Sequence, residues 1–329
     1  MLRHFKVTAL LFSLLFSASA TQATVKLKIA STAPEGTTWA NSLDKISTEV
    51  AKKTNNEVNF KMYHGGKAGD ESSVLRQIRI GKMNGGVFTG KTLGEINGDI
   101  RVMEIPFTFY EKRDLAFNFL EKNWAFFADG FEKKGHKLMS FFEIGPVYLV
   151  SKKEVKSLQD LKGLKIWTWE GDELASSFIK SMNLVGVPLG LEGVLSALST
   201  GMIEMAYSSP LGIISLQWQN NIQYLINFPV TFSVGAFVLS QKEWNKVPEK
   251  WRAVVEDIVK KNAKEANEEI VAENQKSLDT MKMIGIEFQE MKEADFAEGK
   301  AIREKVIESL TGKLFSPEAV SLLKEGVKI

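Results

Sequence analysis

One stretch of the chain matches the sequence pattern of a phosphate-binding motif. Residues 85–92 read GGVFTGKT, which fits the G-x-x-x-x-G-K-[ST] pattern of nucleotide-binding loops. That chemistry needs a strand before the first glycine, whereas the strand-like residues Val87 and Phe88 lie inside the would-be loop. We interpret the segment as a strand that ends in a polar turn facing a cleft, where Thr89 and Lys91 are available to a ligand.

Side chains that commonly carry catalysis are scarce. The 329 residues contain no cysteine, which excludes disulfides, thiolate metal sites and a cysteine nucleophile. His64 and His136 lie about seventy residues apart without metal-ligand spacing, so we predict no metal and no cofactor. A Ser-His-Asp triad stays open because its members need not be close in sequence, but no G-x-S-x-G motif supports one. The sequence motifs therefore give only weak support for catalysis.

The composition is that of an ordinary globular protein. Hydrophobic residues make up 44% and charged residues 25% of the chain, which excludes wholesale disorder. A length of 329 residues suggests two domains or one large one. The formal charge of +2 gives no support for nucleic-acid binding.

The first twenty residues have the pattern of a secretory signal peptide. Two basic residues, Arg3 and Lys6, precede an apolar run over residues 7–16, and small residues at 18–20 suit cleavage. We expect residues 1–20 to be removed and the protein to act in a bacterial periplasm. The alternative is an uncleaved membrane anchor. No later run of eighteen apolar residues follows, so we expect the mature chain to be soluble.

The remaining chain alternates strand patterns with helix patterns. Two such units imply two α/β lobes with a cleft between them, because ligands of open α/β sheets bind beyond the carboxyl ends of the strands. The first unit has predicted strands over 25–30, 58–62 and 86–89 and helices over 39–52 and 72–80. The second has predicted strands over 164–168, 186–188 and 205–207 and helices over 173–182 and 190–200.

A long periodic segment runs from Pro248 to Ile284. An interrupted apolar stripe predicts one helix, bounded by Pro248 and by Gly285. Such a helix would be about 50 Å long, which is enough to span and brace both lobes. The alternative is two shorter helices with a break near Asn262 or Asn274.

Several motifs in succession resemble those of one protein family. The resembling segments are Ile29–Gly36, Tyr63–Asp70, Glu104–Phe107, Ser157–Ile166, Leu191–Glu204 and Trp244–Arg252. Together they make the mature chain similar, over nearly its whole length, to the solute-binding proteins of tripartite ATP-independent periplasmic (TRAP) transporters, the dicarboxylate-receptor family.

The resemblance implies a fold, a function and partners. It implies a periplasmic binding protein-like fold of two hinged α/β lobes with a long helix spanning both. The lobes would close on a small organic ligand and deliver it to a membrane permease without catalysis, and we expect a monomer. Discontinuous lobes are expected, the first over 25–147 and about 232–268, the second over 148–231 and about 269–329.

The chain departs from the family at the carboxylate-binding positions. Trp167 stands where the family places its key arginine, and Pro146-Val147 stand where some members have a second arginine. Ser209 replaces an asparagine that often precedes the following Pro-Leu pair. A buried guanidinium without an anion is costly, so its loss suggests a ligand without a central carboxylate, or one anchored elsewhere, with Lys91 as an alternative cation.

We therefore predict an aromatic pocket for an aromatic or hydrophobic solute, which could carry one weakly acidic group. Alternative functions are a ligand-sensing subunit of a signalling system, a serine-type periplasmic hydrolase, and a binding protein of an ATP-driven importer. The predicted ligand-binding residues are Trp39, Thr89 and Lys91 from the first lobe, Trp167, Trp169, Tyr207 and Ser209 from the second, and Phe232 near a crossover between them.

Overall fold

The computed structural model describes residues 24–110 and 112–327. The expected signal peptide over residues 1–20 lies outside this part of the chain. Within it, no helix combines the length and the apolar character that crossing a membrane requires.

Three parallel strands begin the fold: β1 (Val25–Ser31), β2 (Val58–Tyr63) and β3 (Gly85–Phe88). β1 lies between β2 and β3, with Ile29 opposite Met62 on one side and Gly85 on the other. This arrangement confirms the parallel pairing that the alternating pattern predicted. The helices of this part are α1 (Thr38–Lys53), α2 (Glu71–Arg79), α3 (Gly90–Ile96), a 3-10 helix (Gly98–Glu104), α4 (Arg113–Lys122) and α5 (Trp124–Lys133).

The second part of the chain repeats the strand-helix alternation and then adds further helices. Its strands are β4 (His136–Ser151), β5 (Lys165–Thr168), β6 (Val185–Pro188), β7 (Met205–Ser208), β8 (Tyr224–Ile226), β9 (Thr231–Ser240) and β10 (Glu287–Gln289). Its helices are α6 (Glu173–Ser181), α7 (Val194–Thr200), α8 (Pro210–Ser215), α9 (Gln241–Trp244), α10 (Glu249–Met283), α11 (Glu293–Leu310) and α12 (Pro317–Val327), with 3-10 helices at Leu158–Leu161, Leu191–Gly193 and Trp218–Asn221.

The long strand β4 joins two halves of one sheet. Its pairing partner is the antiparallel strand β9 up to Val147, and from Tyr148 onwards it is β7. The strand order is β2-β1-β3-β9-β4-β7-β5-β6, with β8 beside β4 and β10 beside β8. The alternating pattern did not predict β4 and β9. Both are buried along nearly their whole length, so the period of two that marks a half-exposed strand is lost.

The helix α10 is continuous from Glu249 to Met283, so the alternative of two shorter helices is wrong. It packs against α1, β4 and α8 and therefore contacts both halves of the sheet. The asparagines that interrupt its apolar stripe are buried and hydrogen-bonded. Asn267 Oδ1 accepts from the Glu143 N–H at 2.7 Å, and Asn274 Nδ2 donates to the carbonyl of Ile144 at 3.1 Å.

The last helices pack on different parts of the molecule. α11 lies against α6, whereas α12 lies against α4 and the 3-10 helix Gly98–Glu104. The Ser316 N–H donates to Asp99 Oδ1 at 2.6 Å beside this contact. The C-terminal helix thus contacts elements that the expected division assigns to the first lobe, although that division assigns residues 269–329 to the second. The lobe boundaries otherwise stay a prediction.

Candidate ligand-binding site

A cavity of about 210 Å³ lies where the two halves of the sheet meet. Its wall on one side comes from the ends of β1 and β3 and the start of α1, which contribute Ser31, Val87 and Trp39. The opposite wall comes from β5, β7 and the segments that follow them. This wall contributes Trp167, Trp169, Leu191, Tyr207, Ser209 and Trp218.

Four aromatic rings form one cluster on the second wall. Trp167 stacks on Tyr207 with ring centroids 4.9 Å apart and an angle of 25° between the rings. Trp169 and Trp218 contact the same indole at 5.1 and 5.5 Å. The Trp167 Nε1–H donates to the carbonyl of Leu189 at 3.0 Å, which fixes the ring.

The members of this cluster differ in how they meet the cavity. Trp167 and Trp218 are 2% and 1% exposed, whereas Trp169 and Tyr207 are half-buried. Trp167 therefore lies in the cavity wall mainly as the support behind Tyr207 and Trp169. Across the cavity, Trp39 is half-buried and its Nε1–H donates to the carbonyl of Glu143 at 2.9 Å.

A buried carboxyl group also lines this cavity. Glu71 stands in the first turn of α2, and its Oε2 accepts from the Thr89 N–H at 2.8 Å and from the Thr89 hydroxyl at 3.1 Å. Oε1 lies 3.4 Å from the hydroxyl of Thr32, which donates to it. Burial raises the pKa of Glu71, and hydrogen bonds from Thr89, Thr92 and Thr32 only partly oppose this. The position of Glu71 in the first turn also favours the dipole of α2 when the carboxyl group is ionised.

A smaller cavity of about 120 Å³ adjoins the first and shares Thr89, Val147, Trp169, Tyr207 and Ser233 with it. It is lined by an ionic cluster that the sequence patterns did not indicate. Arg101 Nη2 donates to both carboxylate oxygens of Asp172, at 3.0 and 3.1 Å, and Arg101 Nε lies 3.1 Å from Glu104 Oε2.

Burial shapes the chemistry of that cluster. It raises the pKa of Glu104, although the Arg101 charge and a hydrogen bond from the Ser233 hydroxyl oppose the shift. Burial, with the Asp172 charge, also raises the pKa of the Tyr207 phenol, which is therefore neutral at physiological pH. Arg101 is thus already matched by two carboxyl groups and offers no spare positive charge.

The structure separates two of the predicted site residues from the larger cavity. Lys91 lines the smaller one, and its Nζ contacts Glu95 Oε1 at 2.5 Å and Ser72 Oγ at 2.8 Å. Phe232 is 2% exposed and meets Phe117 edge to face at 6.1 Å, and it lies among the linings of neither cavity.

The other predicted residues reach the cavity. Trp39, Thr89, Trp167, Trp169, Tyr207 and Ser209 all line it. The Ser209 hydroxyl oxygen caps α8 by accepting from the Gly212 N–H at 3.3 Å, so that oxygen is engaged in structure.

The motif-like segment 85–92 does not form a phosphate loop. Gly85 lies within β3, opposite Leu239 on β9 and Ile29 on β1, and α3 begins directly at Gly90. The strand ends at a cavity, as expected, but the helix α3 follows it in place of the expected polar turn. His64 and His136 line neither cavity, and the residues described hold no group of side chains suited to a metal ion.

The sheet, the spanning helix and the cavity where the halves of the sheet meet define the class of two-lobed binding proteins that hold a small solute between α/β lobes. Comparison with known sequences gives the family. The sequence model described as "Bacterial extracellular solute-binding protein, family 7" matches residues 29–313, so the chain belongs to that family.

Solved structures share the fold. A TRAP periplasmic solute-binding protein from Desulfovibrio salexigens, with bound orotic acid, has a TM-score of 0.87 at 17% identity and covers 93% of this chain and 99% of its own. One from Pseudomonas putida F1, with bound D-glucuronate, has a TM-score of 0.83 at 22% identity, covering 92% and 97%. These likenesses confirm the two-lobed α/β fold class, and the match of the family model confirms the family resemblance.

Curated relatives match a smaller share of the chain than these solved structures do. A solute-binding protein from Chromohalobacter salexigens is 26% identical over 243 residues, which are 72% of each protein. An uncharacterised protein from Haemophilus influenzae is 26% identical over 213 residues, and the chain covers 64% of that relative's length.

Proposed function

We propose that the protein is the periplasmic solute-binding subunit of a TRAP transporter. It captures a small aromatic or hydrophobic solute by closure of its two lobes and delivers the solute to a membrane permease. The observation that carries this proposal is the cavity of about 210 Å³, lined by Trp39 on one side and by Trp169 and Tyr207 on the other. A ligand that contacts both walls favours the closed form over the open one.

The aromatic character of the solute is supported by the wall itself. Trp169 and Tyr207 present half-buried rings, on which a planar or apolar solute can stack. No lysine or arginine lines the larger cavity among the residues described. The D. salexigens protein binds orotic acid, which has a planar ring, and the P. putida protein binds D-glucuronate.

The same proposal includes export and partners. Residues 1–20 act as a cleaved signal peptide, the mature protein works as a monomer in the periplasm, and no nucleic acid or cofactor takes part. It is not an enzyme. Against the serine hydrolase alternative, Ser209 caps a helix and neither described histidine lines the cavity. A sensor subunit would use the same lobes, and the partner protein distinguishes the two functions.

A ligand screen with a matched pair of variants tests the proposal. Thermal shift and calorimetry are run on the mature chain with aromatic solutes, uronates and aliphatic dicarboxylates. We expect Trp169→Ala to weaken binding of the best solute by about tenfold or more, consistent with the loss of a ring contact. Trp124→Ala, which removes a half-buried indole from α5 outside the cavity, should leave binding unchanged.

Small-angle scattering then tests closure. We expect the radius of gyration to fall when the solute binds. Binding without compaction would contradict hinge closure, and steady turnover of ester substrates would instead support the hydrolase. Selective stabilisation by a simple aliphatic dicarboxylate would contradict the aromatic solute class.

A further inference from the structure

The two adjoining cavities contain more carboxyl groups than cations. Glu71 lines the larger cavity, and Glu104 and Asp172 line the smaller one. The cations that line these cavities are Arg101, which contacts both Glu104 and Asp172, and Lys91. Lys91 is itself paired with a further carboxylate, Glu95. No positive charge is therefore left over for an anionic ligand.

Glu71 is the carboxyl group without a charged partner. It accepts hydrogen bonds from the Thr89 N–H and from the hydroxyls of Thr89, Thr32 and Thr92, and none of these groups carries a charge. Among the residues described it takes part in no ion pair, although it is only 6% exposed. An anion entering this cavity would meet a carboxyl group and no cation, which is costly in a buried site.

The aromatic rings of the cavity fit the opposite sign of charge. Trp39, Trp169 and Tyr207 are half-buried and line the same space as Glu71. The faces of such rings attract cations, by about 2 kcal/mol or more where water is excluded. Several ring faces together with one carboxylate are the means by which proteins recognise alkylated ammonium groups.

We propose that the solute of this cavity is a small organic cation with an alkylated or aromatic ammonium group, paired with Glu71 and held against the faces of Trp39, Trp169 and Tyr207. This inference rests on the proposed solute-binding function and specifies the charge of the solute. It replaces the weakly acidic group, and the role of Lys91 as its cation, that the sequence suggested.

The surroundings of Glu71 predict how its protonation changes when a cation binds. The groups that face it are Thr32 beside β1, Thr89 between β3 and α3, and Thr92 on α3, all neutral. Lys91, also on α3, is held by Glu95 and Ser72. A bound cation would stabilise the carboxylate and lower the pKa of Glu71 that burial raises. Cation binding should therefore release protons and strengthen as pH rises, until Glu71 is ionised in the free protein.

Isothermal titration with probes that are matched in shape but differ in charge tests the proposal. Choline is compared with 3,3-dimethyl-1-butanol, which has the same shape without the charge, and benzylammonium is compared with benzyl alcohol and benzoate. We expect the cation of each set to bind at least about tenfold more tightly than its neutral or anionic partner. Titrations in two buffers of different ionisation enthalpy should show proton release on cation binding only.

Two matched variants locate the effect. Glu71→Gln should weaken cation binding by about tenfold and abolish proton release, while neutral probes bind as before. Glu121→Gln, which removes an exposed carboxylate on α4 outside both cavities, should leave cation binding within about twofold. Circular dichroism and thermal unfolding confirm that both variants fold.

The outcomes separate this inference from the proposed function. Tighter binding of benzoate or of an uronate than of any cation would overturn the inference, and compaction on that binding would leave the solute-binding function standing. Cation binding unchanged in Glu71→Gln would also overturn it. Dissociation constants weaker than about 10 mM for every cation would do the same.

Discussion

The guanidinium of Arg101 lies 3.0 and 3.1 Å from the two carboxylate oxygens of Asp172, and both side chains are 5% exposed. Arg101 comes from the 3-10 helix before β4, and Asp172 stands at the start of α6 beyond it. Asp172 Oδ1 also accepts from the N–H groups of Leu174 and Ala175, at 3.0 and 3.1 Å. One carboxylate thus caps a helix and links parts of the chain on either side of β4.

Removal of the Asp172 carboxylate should therefore cost far more than the loss of a cap. Asp172→Ala leaves Arg101 buried with Glu104 only, and breaking such a pair costs about 3–5 kcal/mol. Asp70→Ala is the matched control, because Asp70 caps α2 in the same way but is exposed and should cost about 1 kcal/mol. Urea denaturation measures both. Equal losses would mean that the ion pair contributes nothing beyond the cap.

Ionisation of the buried Glu71 should destabilise the folded protein, so the stability should depend on pH. Because its pKa is raised in the folded state, folding binds a proton, and stability falls as pH rises from 4.5 through the raised pKa. Glu71→Gln removes this penalty, so the variant should be more stable than the parent at pH 7, and the difference should shrink as pH falls towards 4.5.

Denaturant titrations from pH 4 to pH 8 measure that difference. Glu121→Gln on the exposed end of α4 serves as the control for the removal of a carboxyl group from the surface. A Glu71→Gln variant that is less stable than the parent at pH 7 would show that the threonine hydrogen bonds outweigh burial.

The buried amide of Asn274 should hold α10 to β4 and to α8. Its Oδ1 accepts from the Leu211 N–H at 3.0 Å, and its Nδ2 donates to the Ile144 carbonyl. Asn274→Ala leaves both backbone groups without these partners, at a cost of about 2 kcal/mol or more. Gln275→Ala changes the exposed neighbour and should stay within about 0.5 kcal/mol. A loss no larger than that of Gln275→Ala would show that water replaces the amide.

Local patterns in the sequence predicted the parts of the fold that they control. β1 and α1 each bury one face in the core, so the spacing of their hydrophobic residues showed a strand and a helix in the sequence. β4 and β9 could not be found in this way, because they are buried on both faces. Asn274 suggested a possible break in α10, yet its polar atoms meet partners that lie far away in sequence.

The candidate site could be predicted only where a residue stood at or near a position that the resembling family uses to bind its ligand. Trp167, Trp169 and Tyr207 were found through the family's arginine position, and they do form one cluster. Arg101 was missed, although it stands with Glu104 in an otherwise apolar run, a signal that these charges are buried and paired. Asp172 resembles an ordinary helix cap, so its role in the pair required the tertiary structure.

Gly145 should be intolerant of any side chain, because two constraints meet there. Its φ is +102°, and a Cβ would lie 2.5 Å from Asn274 Nδ2, beside a register shift between β4 and β9. It stands two residues before the point where β4 changes partner from β9 to β7. A substitution there disturbs both the strand and the amide that anchors α10.

Gly145→Ala should therefore lower the free energy of unfolding by about 2–4 kcal/mol, of which about 1–2 kcal/mol is backbone strain alone. Gly163→Ala is the matched control, since Gly163 has a φ of +77° but open space around its Cβ position, and it should lose only the strain. Urea denaturation of both variants measures the difference. Combining Gly145→Ala with Asn274→Ala should cost less than the two separate losses together, because the second change removes the clash. Strictly additive losses would show that the amide does not limit the space at Gly145.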